Sequence, residues 1–158
     1  MFHEVQREIQ SGSYELYAEV LRRTALEIAE RLEWKLDSSK SSFLPDSIPY
    51  WKPFKEAPVQ LRKFGKKYKT GLVSNIDDKL LGISRRHLRT DLDLVVTAQQ
   101  VRSYKPDPTH LRELGHTPLP FQAGKYESRL YYSRVQVFNS FEIHFVFFPR
   151  FVSRIKLI

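Results

Sequence analysis

The strongest constraint on the fold is a pair of short apolar runs, Thr70-Gly71-Leu72-Val73 and Leu94-Val95-Val96, each ending at a hydroxyl residue, Ser74 and Thr97. Neither run alternates with polar residues, so each reads as a strand covered on both faces. Asp77 and Asp78 follow the first run and open a helix bearing Leu80, Leu81 and Leu88. Pro106 and Pro108 start another helix carrying Leu111 and Leu114, stopped at Gly115. Strand, helix, strand, helix over about 45 residues predicts right-handed βαβ units and a parallel sheet. The expected fold class is α/β.

Ahead of this unit, Tyr17, Leu21, Thr24, Ala25, Ile28 and Leu32 recur at helical spacing with Glu27, Glu30 and Arg31 between them. They predict an amphipathic helix over Tyr14 to Leu32, its start marked by Ser13 after Gly12. The Asp37, Ser38, Ser39, Ser41, Ser42 cluster reads as a loop or a short frayed helix. Pro45, Pro49, Pro53 and Pro58 follow, and residues 45 to 56 read as an extended connection between two subdomains. Pro58 opens a helix through Phe64, closed by Gly65, and the run Lys66, Lys67, Lys69 reads as its solvated end. Beyond Pro120 the chain is rich in aromatics and has no Asp. Phe141, Ile143, Phe145 and Phe147 alternate with Glu142 and His144 and predict one strand.

At 158 residues the chain suits one domain, which excludes a large two-domain enzyme. Lys and Arg number 26 against 18 Asp and Glu, and the net charge of +8 suits an acidic partner or an anionic substrate. No single stretch concentrates that charge enough to point to nucleic acid, which is not the expected partner. With no cysteine the chain cannot form a disulfide, an Fe–S cluster, a thiolate zinc site or a Cys nucleophile. No apolar run reaches the roughly 18 residues that span a bilayer, and Met1-Phe2-His3-Glu4 does not open a secretory signal. A cytoplasmic protein without membrane association is expected.

Ser74 and Asn75 stand at the carboxyl end of a strand and the start of a helix, where open α/β sheets bind ligands and helix N–H groups attract anions. Ser103-Tyr104-Lys105-Pro106-Asp107-Pro108 puts Lys105 after the next strand, on the same sheet edge. Alone, the Ser-Asn pair is an ordinary helix cap and the lysine a solvated loop residue; their pairing favours a site. His87 and His110 lack companions at metal-ligand spacing. Asp77 and Asp78 favour a helix dipole rather than a metal. No metal and no cofactor is expected.

Gly71-Leu72-Val73-Ser74-Asn75-Ile76-Asp77, then Val95-Val96-Thr97-Ala98 and Ser103-Tyr104-Lys105-Pro106-Asp107-Pro108, resemble motifs two and three of the haloacid dehalogenase superfamily, closest to its 2-haloacid dehalogenase-like (type II) branch. Tyr17 to Trp34 resembles a helix of that branch's cap, and Ile48-Pro49-Tyr50-Trp51-Lys52-Pro53-Phe54 resembles the return from cap to core. The resemblance covers about residues 1 to 115. It implies a helical cap portion at 1–47, a partial Rossmann-like core with parallel strands at 48–120, and an aromatic basic tail at 121–158. It implies hydrolysis of a carbon–halide or phosphate bond in a small anionic substrate through a covalent aspartyl intermediate. Ser74 and Asn75 would bind the anion, and Lys105 would be catalytic by stabilising charge beside the nucleophile.

The family's nucleophilic Asp, followed by Gly-Thr after an apolar strand, has no counterpart ahead of the cap, and no Asp follows Asp107 to serve in motif four. Asp91 and Asp93 precede the run Leu94 to Val96 and read as strand-opening residues. Where several relatives place a Tyr six residues after the lysine, this chain has Leu111. The expectation is therefore a hydrolase truncated at both ends and inactive in this form, its tail replaced through a shifted frame or gene-model error. Lacking a neighbour, the strand ending at Ser74 would offer an open edge for association with a complete homologue. The alternative is a basic, non-catalytic module binding an acidic partner or single-stranded nucleic acid.

Overall fold

The computed structural model describes residues 1–107 and 109, and the backbone of two strands at 131–135 and 143–149. Helices α1 (Phe2–Gln10) and α2 (Tyr17–Arg31) pack together and lead through a 3-10 turn, Ser38–Lys40, to α3 (Phe43–Ser47). A second 3-10 turn, Ile48–Tyr50, precedes α4 (Ala57–Lys67), which runs directly into β1 (Tyr68–Ser74). Then come α5 (Asp78–Arg85), a 3-10 turn at Arg86–Leu88, β2 (Leu94–Thr97) and α6 (Ala98–Val101). The strands β3 (Tyr131–Val135) and β4 (Ile143–Pro149) complete a sheet ordered β2-β1-β4-β3.

β1 and β2 are parallel, with Leu72 opposite Val95 and Ser74 opposite Thr97, so the α/β class and the parallel pair hold. From Thr70 to Ser74 every residue of β1 is buried, as an unbroken apolar run requires. The sheet as a whole is mixed. β4 pairs antiparallel along all seven residues of β1, and β3 pairs antiparallel with β4. The open edge expected at β1 is therefore closed by β4, and the edges of the described sheet are β2 and β3. The alternation in the tail located β4 to within two residues, while β3 had no expectation. The helix expected after Pro106 lies outside the described residues, as does His110.

One buried cluster joins Tyr17, Val20 and Leu21 of α2 to Ile48, Leu61, Leu72, Ile76, Leu81 and Leu88. α1, for which the sequence analysis holds no expectation although Phe2, Val5 and Ile9 stand at helical spacing, buries Val5 completely. Its Glu8 pairs with Arg31 at 2.7 Å and its Gln6 amide donates to the Tyr17 hydroxyl at 2.8 Å. The proline-rich stretch corrects the expectation of an extended connection from 45 to 56. Pro45 sits in the first turn of α3 and Pro49 in the first turn of a 3-10 helix, positions whose N–H groups have no intrahelical acceptor. Only Trp51 to Glu56 are non-helical there. Likewise α4 continues through Gly65 to Lys67, because its buried Leu61 and the adjoining strand hold the last turn against the core.

Candidate functional site

The carboxyl ends of β1 and β2 are bound into one platform. Thr97 caps α6, its hydroxyl accepting from the Gln100 N–H at 3.2 Å while the Gln100 side-chain oxygen accepts from the Thr97 N–H at 3.3 Å. The same hydroxyl donates to Asp78 Oδ1 at 2.8 Å, which also accepts from Gln100 Nε2 at 2.9 Å. The Asp78 N–H donates to Gln99 Oε1 at 2.9 Å. Asp78 thus favours the start of α5, as expected for an acid in a first turn, and in addition links the two strand ends.

Asp77 does something the sequence did not reveal. Its Oδ1 accepts from the Tyr17 N–H at 2.7 Å and its Oδ2 from the Ala18 N–H at 2.8 Å, capping α2 from 60 residues away. Ser13 does not start that helix. Its N-cap is Leu16, which has no side chain able to accept a hydrogen bond, and that uncapped start was the available signal that the acceptor lies elsewhere. Asp77 is 4% exposed, and burial pushes its carboxyl above the usual range against the opposing effect of its two N–H donors.

Arg102, at φ 52°, ends α6 and turns the chain into Tyr104 and Lys105. Tyr104 is buried against Tyr14, ring centroids 5.4 Å apart, and its hydroxyl donates to the Glu15 carbonyl at 2.7 Å. Burial raises its phenol far above the ordinary value. The Tyr14 hydroxyl is buried with no hydrogen-bond partner among the described residues. Its pKa is raised by burial first and by the Asp77 charge next, with Arg102 opposing.

Among the described residues Lys105 is held by Asn75 and Val73. Its N–H donates to Asn75 Oδ1 at 2.7 Å, its carbonyl accepts from Asn75 Nδ2 at 3.2 Å, and its ammonium donates to the Val73 carbonyl at 3.2 Å. The Lys105–Pro106 peptide is cis. Of the sequence-predicted residues, Asn75 and Lys105 come together, the Asn75 amide clasping the Lys105 backbone, while Ser74, 1% exposed, ends β1. Of the residues set aside, Asp93 opens β2, its Oδ2 accepting from the Thr70 N–H at 2.8 Å at the strand end remote from Ser74. His87 Nε2 lies 3.2 Å from the Pro49 carbonyl oxygen. Among the described residues no three His, Asp or Glu side chains converge as a metal site would require.

No protein-family model and no curated protein matches the sequence. Among solved structures the chain is similar to an L-2-haloacid dehalogenase, at a TM-score of 0.63 and 15% identity, over 72% of this chain and 52% of that one. The chain spans about half the length of that enzyme. The fold is thus of the haloacid dehalogenase type. No helix among the described residues is long and apolar enough to cross a membrane.

Proposed function

We propose that this chain carries the anion-orienting part of a hydrolase site of the 2-haloacid dehalogenase type. In this reading Ser74 contacts the carboxylate or phosphate of a small anionic substrate, Asn75 fixes the loop that presents Lys105, and the Lys105 ammonium balances charge beside the reacting group. The observation that carries it is the Asn75–Lys105 clasp, which joins two motifs thirty residues apart at the carboxyl ends of parallel strands, where such sheets bind ligands. Residues 1–47 would be a portion of a helical cap and 48–120 the partial core.

The same reading has these 158 residues without turnover. Covalent hydrolysis needs an aspartate at a strand end ahead of Ser74, and the sequence offers only Asp37 and Asp46 there. Asp37 caps a 3-10 turn and Asp46 lies within α3. Antiparallel β4 occupies the free side of β1. Purified chain is therefore expected to release no chloride from 2-chloropropionate and no phenolate from p-nitrophenyl phosphate. Turnover that survives purification and disappears in Lys105→Ala would overturn the inactive reading and require a nucleophile from elsewhere in the chain.

A further inference from the structure

The positive charge is spread unevenly over the chain. Residues 48–90 contain eleven Lys and Arg against three acids, a surplus equal to the whole net charge of +8. Two of those acids are committed elsewhere, Asp77 to the start of α2 and Asp78 to Thr97. The fold then gathers the cations. The Arg86–Leu88 turn packs on α4 and α5, α5 packs on the Ile48–Tyr50 turn, and His87 reaches the Pro49 carbonyl. Arg62, Lys63, Lys66 and Lys67 of α4, with Arg86 and Arg89 beside it, are all exposed.

Among the described residues none of these six cations is in an ion pair; Arg22, Arg23, Arg31 and the N-terminus hold acids instead. Arg62 and Lys66, and Lys63 and Lys67, stand four apart on α4, a like-charge spacing that destabilises a helix. The helix dipole offsets this for Lys66 and Lys67 in the last turn but not for Arg62 and Lys63 a turn earlier. A solvated helix end accounts for two of the four, whereas a bound polyanion accounts for all of them and for Arg86 and Arg89. Aromatic rings lie in the same segment: Tyr50 is 81% exposed on the turn that meets His87, and Phe54 and Phe64 are also exposed. Charge alone would suit an acidic peptide or a lipid headgroup. Exposed rings among cations suit a strand that offers phosphates and unstacked bases together.

We propose that the face formed by α4, the Arg86–Leu88 turn and Tyr50 binds single-stranded nucleic acid, separately from Ser74 and Lys105. The segments that build it are some twenty residues apart in sequence, which is why no single stretch announces it. The test is fluorescence anisotropy of labelled oligothymidylate titrated with the full chain at rising salt. Log affinity should fall linearly with log salt, and Lys63→Gln/Lys66→Gln should make the slope shallower by about 1.4, at roughly 0.7 per phosphate contact. Tyr50→Ala should weaken binding about tenfold with the slope unchanged, and Tyr50→Leu, which keeps bulk but removes the stacking face, should do the same. Lys35→Gln/Lys40→Gln, which removes equal charge at exposed positions elsewhere, should leave affinity within about twofold. Far-UV spectra establish that each variant is folded. Three results would overturn the proposal: no binding at low salt, an equal slope change in the Lys35/Lys40 variant, or polyglutamate or phosphatidylserine vesicles binding as tightly with Tyr50→Ala neutral.

Discussion

Replacing Asp77 by Ala should destabilise the protein more than any other single polar substitution among the described residues. The carboxylate accepts two N–H donors of α2, at 2.7 and 2.8 Å, from a position 4% exposed. A hydrogen bond to a charged group is worth about 1.5 to 3 kcal/mol, and loss of a helix cap alone costs about 0.5 to 2 kcal/mol. Burial, which raises the Asp77 pKa, sets the carboxylate's own desolvation against this gain. The net loss should be about 2 to 3 kcal/mol, a large share of the roughly 5 to 15 kcal/mol of a typical domain. With a urea m-value of about 1 to 3 kcal/mol/M, the unfolding midpoint should drop by about 1 M. Asp77→Asn keeps one acceptor oxygen and should fall between wild type and Ala. A midpoint for Asp77→Ala within about 0.2 M of wild type, at unchanged m, would refute the claim that this carboxylate joins α2 to the β1–α5 turn.

Gly65 lies inside α4, and an added Cβ would meet nothing within 4 Å, so Gly65→Ala should stabilise by about 0.5 to 1 kcal/mol and raise Tm by about 1 to 4 °C, read by thermal melting. Asn75→Ala removes both bonds to the Lys105 backbone and should cost about 1 to 3 kcal/mol in urea unfolding, with local loss of amide-exchange protection at Lys105. Burial pushes the Tyr17 phenol up to about 12 from 10.0, so the folded state keeps a proton that the unfolded state releases; stability should fall as pH rises through that window, and Tyr17→Phe should abolish the fall. A chain ending at residue 120 loses β4 and leaves one side of β1 unpaired over seven residues, so light scattering should show aggregation absent from the full chain.

The parallel pair was legible because Leu72-Val73 and Leu94-Val95-Val96 carry no polar residue to compete with a buried reading. The approach of Asn75 to Lys105 was legible for a different reason: a resemblance supplied the pairing that local chemistry leaves neutral. Asp77 was half legible. An acid opening a helix looks the same whether its carboxylate serves that helix or one sixty residues earlier, and only packing brings the N-terminus of α2 within reach. Prolines misled in the opposite sense, since Pro45 and Pro49 are tolerated in first turns whose N–H groups need no partner. In the tail, alternation marked a strand, but nothing in residues 143–149 says that its neighbour is β1 or that the pairing is antiparallel. Such long-range pairing is set by which edge is vacant.

In the proposed function Ser74, Asn75 and Lys105 form one anion-binding site at the ends of β1 and β2. Its most direct test is a titration of isotope-labelled protein with inorganic phosphate and, separately, 2-chloropropionate, followed by amide and side-chain NMR shifts. Saturable shifts centred on Ser74, Asn75 and Lys105 are expected for both anions, abolished in Lys105→Met while the rest of the spectrum is retained. Shifts confined to α4 and the Arg86–Leu88 turn, or shifts at Ser74 that persist in Lys105→Met, would contradict it.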